Sequence, residues 1–233
     1  MPGLLVALDL PTPEEAVALA RKVAPHVDGF KVGLQLLLGA DPGAVERVAE
    51  TGLPVFVDAK LHDIPATVER AARQLGKRGA RWVTVHLSGG SEMVQAARTG
   101  LESGSAGREA GILGVTVLTS LGLTDLSSVG IDRSLDEQVR GLIALAADGG
   151  CEGVVCSVHE VQIIRASKLP LTTVTPGIRE AADSKDDQRR VASVDEAMAA
   201  GSDYLVVGRA IRSAPDPIAA AANFSRSLQS AGN

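Results

Sequence analysis

Short apolar stretches alternate with amphipathic, alanine-rich segments along the whole chain. The apolar stretches are rich in β-branched residues and have the length of buried strands, whereas the segments between them have the spacing of helices with one buried face. The predicted strands are residues 4–9, 29–33, 55–60, 82–87, 111–118, 153–156, 171–175 and 204–207. The predicted helices include residues 13–24, 44–50, 66–76, 93–101, 135–147 and 158–166. This β-α-β-α order is typical of a parallel sheet.

The number of these units predicts a closed barrel. Eight strand-helix units within 233 residues fit a single-domain (β/α)8 TIM barrel spanning residues 1–233. An open doubly wound sheet would show the same alternation. A dinucleotide-binding sheet would need a G-x-G-x-x-G turn after its first strand, and that strand instead continues into Asp9, Leu10 and Pro11. The pattern therefore favours the barrel.

Composition and charge exclude several classes of partner. The formal net charge of -5 argues against nucleic acid or an anionic membrane surface, because both require basic protein surface. Aromatic residues make up only 2% of the chain, too few for base-stacking platforms. No apolar stretch approaches the roughly 20 residues of a membrane span, and the first nine residues lack the basic start of a signal peptide. We therefore expect a cytoplasmic protein that binds neither nucleic acid nor membrane.

Asp58 and Lys60 are the most unusual residues because they interrupt an otherwise apolar strand. Side chains alternate along a strand, so the two charges should share one face, with Asp63 following in the loop. Asp9 and Lys31 fall in the first two strand patterns. A purely structural charge lattice is the alternative, but replacing such a lattice by apolar residues is often neutral or stabilising. Function explains the charges better, because a lysine kept protonated by carboxylates can act as an acid and as an electrostatic anchor.

A second polar cluster follows the last two predicted strands, where barrels commonly bind phosphate. It contains Arg179, Gln188, Gly208 and Arg209. Glycine N–H groups and the fork of an arginine both suit a phosphate, whereas a helix-capping role for Arg209 is the alternative. The polar stretch at residues 180–190 lacks apolar periodicity and predicts a loop able to close over a ligand.

Signals for a metal site are weak. His62, His86 and His159 are interpreted as hydrogen-bonded structural residues rather than ligands or catalysts. Cys151 and Cys156 are interpreted as ordinary thiols, because their spacing fits neither a disulfide framework nor a zinc site. We therefore predict no metal site.

Residues 58–65, Asp-Ala-Lys-Leu-His-Asp-Ile-Pro, resemble the D-x-K-x-x-D-I-P signature of the orotidine 5'-phosphate decarboxylase family, in its type 1, bacterial-like form. Further blocks resemble that family in order along the chain, at residues 7–9, 31–33, 117–120, 175–179, 187–191 and 207–211. The resemblance implies a TIM-barrel carboxy-lyase that decarboxylates orotidine 5'-monophosphate to UMP in pyrimidine biosynthesis. It also implies a reaction without cofactor or metal, in a homodimer with shared active sites.

The same resemblance implies a role for individual residues. Lys60 would protonate C6 of the pyrimidine with Asp58 beside it, and Asp63, Ile64 and Thr67 would reach into the site of the neighbouring subunit. Asp9 and Lys31 would hold the ribose hydroxyls and form the charge network. Thr119 or Ser120 would contact the pyrimidine. The phosphate would be bound by Gln188, Gly208 and Arg209, with Arg179 nearby.

Two rival functions stay open from the sequence. Sugar-phosphate enzymes on the same barrel, a Mg²⁺-dependent keto-acid decarboxylase and a hexulose phosphate synthase, also use a D-x-K-x-x-D pattern. The ending Asp63-Ile64-Pro65 and the block Gly177-Ile178-Arg179 followed by Gln188 argue against them. The second rival is a catalytically idle barrel that binds a ligand or serves as a scaffold, and it would leave the complete set of charged residues unexplained.

Overall fold

Eight parallel strands close into a barrel in chain order in the computed structural model, which describes residues 2–39, 43–178 and 192–230. The strands are β1 (Gly3–Ala7), β2 (Gly29–Gly33), β3 (Val55–Leu61), β4 (Trp82–His86), β5 (Gly111–Val115), β6 (Gly153–Val155), β7 (Thr172–Pro176) and β8 (Tyr204–Val207). β1 pairs with both β2 and β8, which closes the sheet. The predicted (β/α)8 barrel is confirmed, and the open doubly wound sheet is wrong.

Helices surround the barrel. They are α1 (Pro13–Val23), α2 (Leu34–Leu37), α3 (Ala44–Ala49), α4 (Pro65–Lys77), α5 (Ser91–Ser105), α6 (Leu123–Ser128), α7 (Leu135–Asp148), α8 (Val158–Ser167), α9 (Val194–Ala200), α10 (Arg209–Arg212) and α11 (Pro217–Ser230). The six predicted helices are all present, with ends shifted by a few residues. Helix α1 begins as its sequence suggests, because the Thr12 hydroxyl accepts a hydrogen bond from Glu15 N–H and Pro13 takes the first helical position. None of the helices in the described ranges is long and apolar enough to cross a membrane.

Two apolar clusters form the core. The larger lies between the strands and the surrounding helices. The smaller lies inside the barrel and consists of Leu5, Ala7, Phe56, Trp82, Leu113, Val174 and Val206. Three of these residues, Ala7, Phe56 and Val206, also line the cavity described below, so the inner cluster forms its floor. The interior of the barrel is therefore packed with apolar side chains, and the cavity lies above them at the carboxyl ends of the strands.

A polar network closes the opposite, amino-terminal end of the barrel. Arg81 Nη1 and Nη2 donate to the two carboxylate oxygens of Glu152 at 2.8 and 2.7 Å, and Trp82 Nε1 donates to Glu152 Oε1 at 2.9 Å. Burial raises the pKa of Glu152, but the hydrogen bonds from Arg81 and Trp82 outweigh it and hold the pKa below its ordinary value. This network connects β4 to the start of β6 at the end remote from the cavity, which gives it a structural role.

Candidate active site

A cavity of about 370 Å³ opens at the carboxyl ends of the strands. Its polar and charged lining comprises Asp9, Lys31, Asp58, Lys60, Thr119, Arg209 and Arg212. Residues 176–178 and Gly208 line it where β7 and β8 end. In barrels this end carries the catalytic side chains, and the volume suits a small molecule.

Four charged side chains of alternating sign form a continuous chain along the cavity wall. Lys31 Nζ lies 2.9 Å from Asp9 Oδ1 and 3.8 Å from Asp58 Oδ2. Lys60 Nζ lies 2.8 Å from each carboxylate oxygen of Asp58. Each charge has an opposite charge beside it, which offsets part of the cost of burying Lys31 and Asp58, whereas Asp9 and Lys60 stay about one third exposed. The structure thus brings together the charges that the sequence places on three separate strands.

Asp58 is the centre of this chain, with only 14% of its side chain exposed. Burial raises the pKa of the Asp58 carboxyl, but the charges of Lys31 and Lys60 and the hydrogen bonds from Lys60 and Thr84 outweigh that effect. The pKa of Asp58 therefore lies below its usual range. Asp58 is ionised at neutral pH and binds one lysine on each side.

Gly33 leaves the space that the Asp9–Lys31 pair occupies. A Cβ at this position would lie 2.8 Å from Asp9 Oδ1 and 3.0 Å from Lys31 Nζ. The backbone of Gly33 is extended, with φ -98°, so the glycine is not required by the turn itself. A side chain at this position would instead push Asp9 Oδ1 or Lys31 Nζ away, so the glycine leaves room for the ion pair.

The backbone at Lys60 departs from regular strand geometry. Val57 pairs with Val83 and Leu61 with Val85, so β3 advances four residues while β4 advances two. Lys60 itself has φ 47°, in the left-handed region, which costs a residue with a side chain about 1–2 kcal/mol. The regular alternation predicted past Val57 is therefore wrong: Asp58 and Lys60 do meet, but across a bulge.

Thr84 on β4 is a site residue that the sequence pattern did not single out. Its side chain is fully buried, and its Oγ1 lies 2.8 Å from Lys60 N and 3.0 Å from Asp58 Oδ1. The available signal was a polar residue inside an otherwise apolar strand, two positions before His86. That signal is weak, because a buried threonine often bonds only to the neighbouring backbone.

His86 ends β4 beside the charged chain. Its ring centre lies 5.5 Å from that of His62, with the rings tilted by 42°. Burial lowers the pKa of His86, and the nearby His62 and Lys60 lower it further, whereas Asp58 acts in the opposite direction. His86 is therefore neutral at pH 7. Neither ring belongs to the described lining of the cavity, so their interpretation as structural residues stays a prediction.

Asp63, Ile64 and Thr67 lie outside the cavity, where β3 leads into α4. Ile64 N–H donates to Asp63 Oδ1 at 2.6 Å, and Thr67 N–H donates to Ile64 O at 3.0 Å. Asp63 is exposed and Ile64 is 67% exposed. The loop is thus accessible to another subunit, and the expected contribution of these residues to a neighbouring site stays a prediction.

Two arginines on α10 reach the cavity. Gly208 and Arg209 line it directly after β8, and their expected contact with phosphate stays a prediction. Arg212, three residues further along the same short helix, also lines it and was not anticipated. The Nε atom of Arg212 is buried and has no hydrogen-bond partner in the described part of the chain. A buried donor without a partner is costly, and no group in the described ranges satisfies this one.

The remaining predicted residues fall into two groups. Thr119 lines the cavity, whereas Ser120 is exposed and does not belong to the lining. Arg179, Gln188 and the predicted loop at residues 180–190 lie outside the described residues.

Comparison with known proteins shows that this chain is similar to decarboxylases. The model of the Orotidine 5'-phosphate decarboxylase / HUMPS family matches residues 2–224. An orotidine 5'-phosphate decarboxylase of Anaeromyxobacter sp. (strain K) is 49% identical over 219 residues, which cover 94% of this chain and 94% of that protein. One of Pseudomonas aeruginosa (strain UCBPP-PA14) is 45% identical over 219 residues, with 94% of each chain covered. The crystal structure of orotidine 5'-phosphate decarboxylase from Lactobacillus acidophilus matches with a TM-score of 0.86 and 34% identity, covering 98% of this chain and 99% of that one.

Proposed function

The chain belongs to the orotidine 5'-phosphate decarboxylase / HUMPS family and is a carboxy-lyase that converts orotidine 5'-monophosphate to UMP, and we propose here which of its residues carry out that reaction. The family description names two kinds of enzyme. The relatives at 45% and 49% identity are orotidine 5'-phosphate decarboxylases, which disfavours the sugar-phosphate rivals.

The observation that carries the proposal is the position of Lys60 in the cavity. Its Nζ lies 2.8 Å from both oxygens of Asp58, so an ammonium group is held in place beside a fixed negative charge. Lys60 is therefore suited to donate a proton inside the site.

The chemistry requires such a group. When the bond between C6 and the carboxylate carbon breaks, CO₂ leaves and the electron pair stays on C6 as a carbanion with no adjacent electron sink. The Lys60 ammonium stabilises that charge electrostatically and then transfers its proton to C6, and the resulting amine regains a proton from solvent. The charge of Asp58 would also repel the substrate carboxylate and so raise the energy of the bound substrate.

Substrate binding supplies the rest of the barrier reduction. Enzymes lower barriers by roughly 8–23 kcal/mol, which is more than one ion pair can contribute. One part of the cavity is lined by Gly208, Arg209 and Arg212, at the start and end of α10. We assign it, together with Gln188 and Arg179, to the phosphate, and Thr119 or Ser120 to the pyrimidine. Asp9 and Lys31 bind the ribose hydroxyls. Binding energy from the phosphate then fixes the ring against Lys60.

The active form in this proposal is a homodimer with shared sites. The exposure of Asp63 and Ile64 supports it, because these residues, like the partly exposed Thr67, follow the site strand β3 but contribute nothing to the cavity lining in the described chain. Covering the 67% exposed side chain of Ile64 by a second subunit would also remove apolar surface from water.

Loss of orotate absorbance on incubation with orotidine 5'-monophosphate tests the assignment of Lys60. We expect Lys60→Ala to abolish turnover while leaving the melting temperature close to that of the wild type. Lys77→Ala, a substitution of an exposed lysine on α4, is the matched control and should be fully active. Activity of Lys60→Ala within tenfold of the wild type would remove the proposed proton donor. Turnover unchanged in excess EDTA is the expected result if no metal takes part.

Mixing two inactive variants tests the shared site. Lys60→Ala and Asp63→Ala proteins, allowed to exchange subunits, should regain about one quarter of wild-type activity, because half of the dimers are mixed and each has one intact site. Exchange is verified by mass spectrometry of the intact dimers. If exchange occurs and no activity returns, Asp63 does not act across the interface.

A further inference from the structure

The backbone of Lys60 is strained at the point where the reaction needs it fixed. Three described residues other than glycine have positive φ: Lys60, Ala106 and Lys168. Ala106 and Lys168 follow the ends of α5 and α8, where a left-handed residue is common. Lys60 lies inside a strand, so its conformation must be supported by the surrounding structure.

The hydroxyl of Thr84 supplies that support. Lys60 N–H can only donate, so Thr84 Oγ1 accepts the hydrogen bond of 2.8 Å between them. The ionised carboxylate of Asp58 can only accept, so Thr84 donates its single proton across the 3.0 Å to Asp58 Oδ1. The chemistry of the two partners thus fixes the direction of both bonds. Because Thr84 is fully buried, water cannot take its place.

We propose that Thr84 is a positioning residue for the decarboxylation: its hydroxyl joins the strained backbone of Lys60 to the carboxylate of Asp58 and so holds the lysine ammonium at the reacting carbon. The proposal rests on the role given to Lys60 above. Thr84 does not line the cavity and touches no substrate; it acts through the two residues that do. Its loss affects the rate of the chemical step, because misplacement by about 1 Å can cost a hundredfold in rate.

Two substitutions separate the hydroxyl from the rest of the side chain. Thr84→Val keeps the branched shape and removes both hydrogen bonds, whereas Thr84→Ser keeps the hydroxyl and removes the methyl group. We expect Thr84→Val to lower kcat about a hundredfold with KM for orotidine 5'-monophosphate and the affinity for UMP within threefold of the wild type. Thr84→Ser should keep kcat within about fivefold.

Thr173 on β7 offers a matched control. It is also fully buried, accepts a hydrogen bond from the backbone N–H of Asp203 at 3.0 Å and donates to the carboxylate of the same residue at 3.0 Å. Because that pair lies at the amino-terminal end of the strands, Thr173→Val should lower the melting temperature as Thr84→Val does while leaving kcat unchanged. It measures the general cost of removing such a hydroxyl.

Three results would overturn the proposal: kcat of Thr84→Val within threefold of the wild type, equal losses of kcat in the Val and Ser variants, or an equal loss in Thr173→Val. If Thr84→Val is not recovered as folded protein, Thr84→Ala is judged by the same limits. Wild type and Lys60→Ala are assayed alongside. An inactive wild type or an active Lys60→Ala would contradict the proposed function. If the wild type is active, Lys60→Ala is inactive and Thr84→Val is active, only the role of Thr84 is contradicted.

Discussion

Gly100→Ala should destabilise this protein, although the same substitution in an ordinary helix is stabilising. Gly100 lies in α5, and a Cβ there would overlap the main-chain carbonyl of Glu69 in α4. Gly104 faces Arg73 in the same way, and a Cβ on Gly76 of α4 would lie 2.6 Å from the carbonyl oxygen of Leu101. The two helices therefore pack backbone against backbone, and the glycines permit that approach.

The expected magnitude follows from two opposing contributions. Replacing glycine by alanine within a helix gains about 1 kcal/mol in propensity. Overpacking costs typically about 1–3 kcal/mol and occasionally more, and here the obstacle is main chain, which no rotamer change can move. We expect a net loss of about 2 kcal/mol in the free energy of unfolding, or roughly 4–8 °C in melting temperature for a chain of this size.

Gly141 in α7 provides the matched control. The nearest atom to a Cβ at that position is Arg133 Nη1 at 3.6 Å, an ordinary contact. Gly141→Ala should therefore raise stability by about 0.5–1 kcal/mol. The two substitutions are chemically identical and differ in the space around them, so their effects should have opposite signs.

Urea unfolding followed by circular dichroism and by the fluorescence of the single tryptophan, Trp82, measures both variants. Protein concentration is held constant, because dissociation of an oligomer would make the midpoint depend on it. A Gly100→Ala protein as stable as the wild type would refute the backbone-to-backbone packing of α4 and α5. A loss of similar size in Gly141→Ala would show that the space around the glycine does not decide the result.

Two further predictions concern charged residues at opposite ends of the barrel. The pKa of Glu152 is lower in the folded protein than in the unfolded chain. The ionised carboxylate therefore stabilises the fold above its unfolded pKa near 4.5, and this stabilisation is lost as the pH falls through the folded pKa. The difference in melting temperature between wild type and Glu152→Gln should shrink from pH 7 to pH 3, and a constant difference would contradict this. Arg212→Gln should weaken UMP binding about tenfold and leave uridine binding unchanged, as measured by calorimetry, because a charged hydrogen bond to phosphate is lost. Arg140→Gln, which removes an exposed arginine on α7, should change neither affinity, and equal weakening of uridine by Arg212→Gln would place Arg212 away from the phosphate.

Much of this architecture could be predicted from the sequence because it depends on local patterns. Apolar runs of strand length, helix-like spacing between them and the Thr12–Pro13 start of α1 are properties of consecutive residues. Once the barrel is assumed, its geometry places the carboxyl ends of all the strands at the same face. Asp9, Lys31, Asp58, Lys60 and Arg209 could therefore be assigned to one site before any contact between them was known.

The tertiary structure decided the features that depend on residues from different strands. The two bonds of Thr84 span 24 and 26 positions in sequence, and they exist only because β3 bulges against β4 at Lys60. The importance of Gly33 and Gly100 depends on side-chain or main-chain atoms from other parts of the chain that come close to them. The position of Arg212 depends on the cavity that forms when β8 closes against β1.

The sequence by itself thus determined the order of the elements and the chemical groups available at the carboxyl end of the barrel. Only the tertiary structure decided how Lys60 is held. The physical reason is that periodicity specifies which face a residue occupies within its own element, whereas a bulge, a shared hydroxyl and the closeness of two backbones are set by packing between elements.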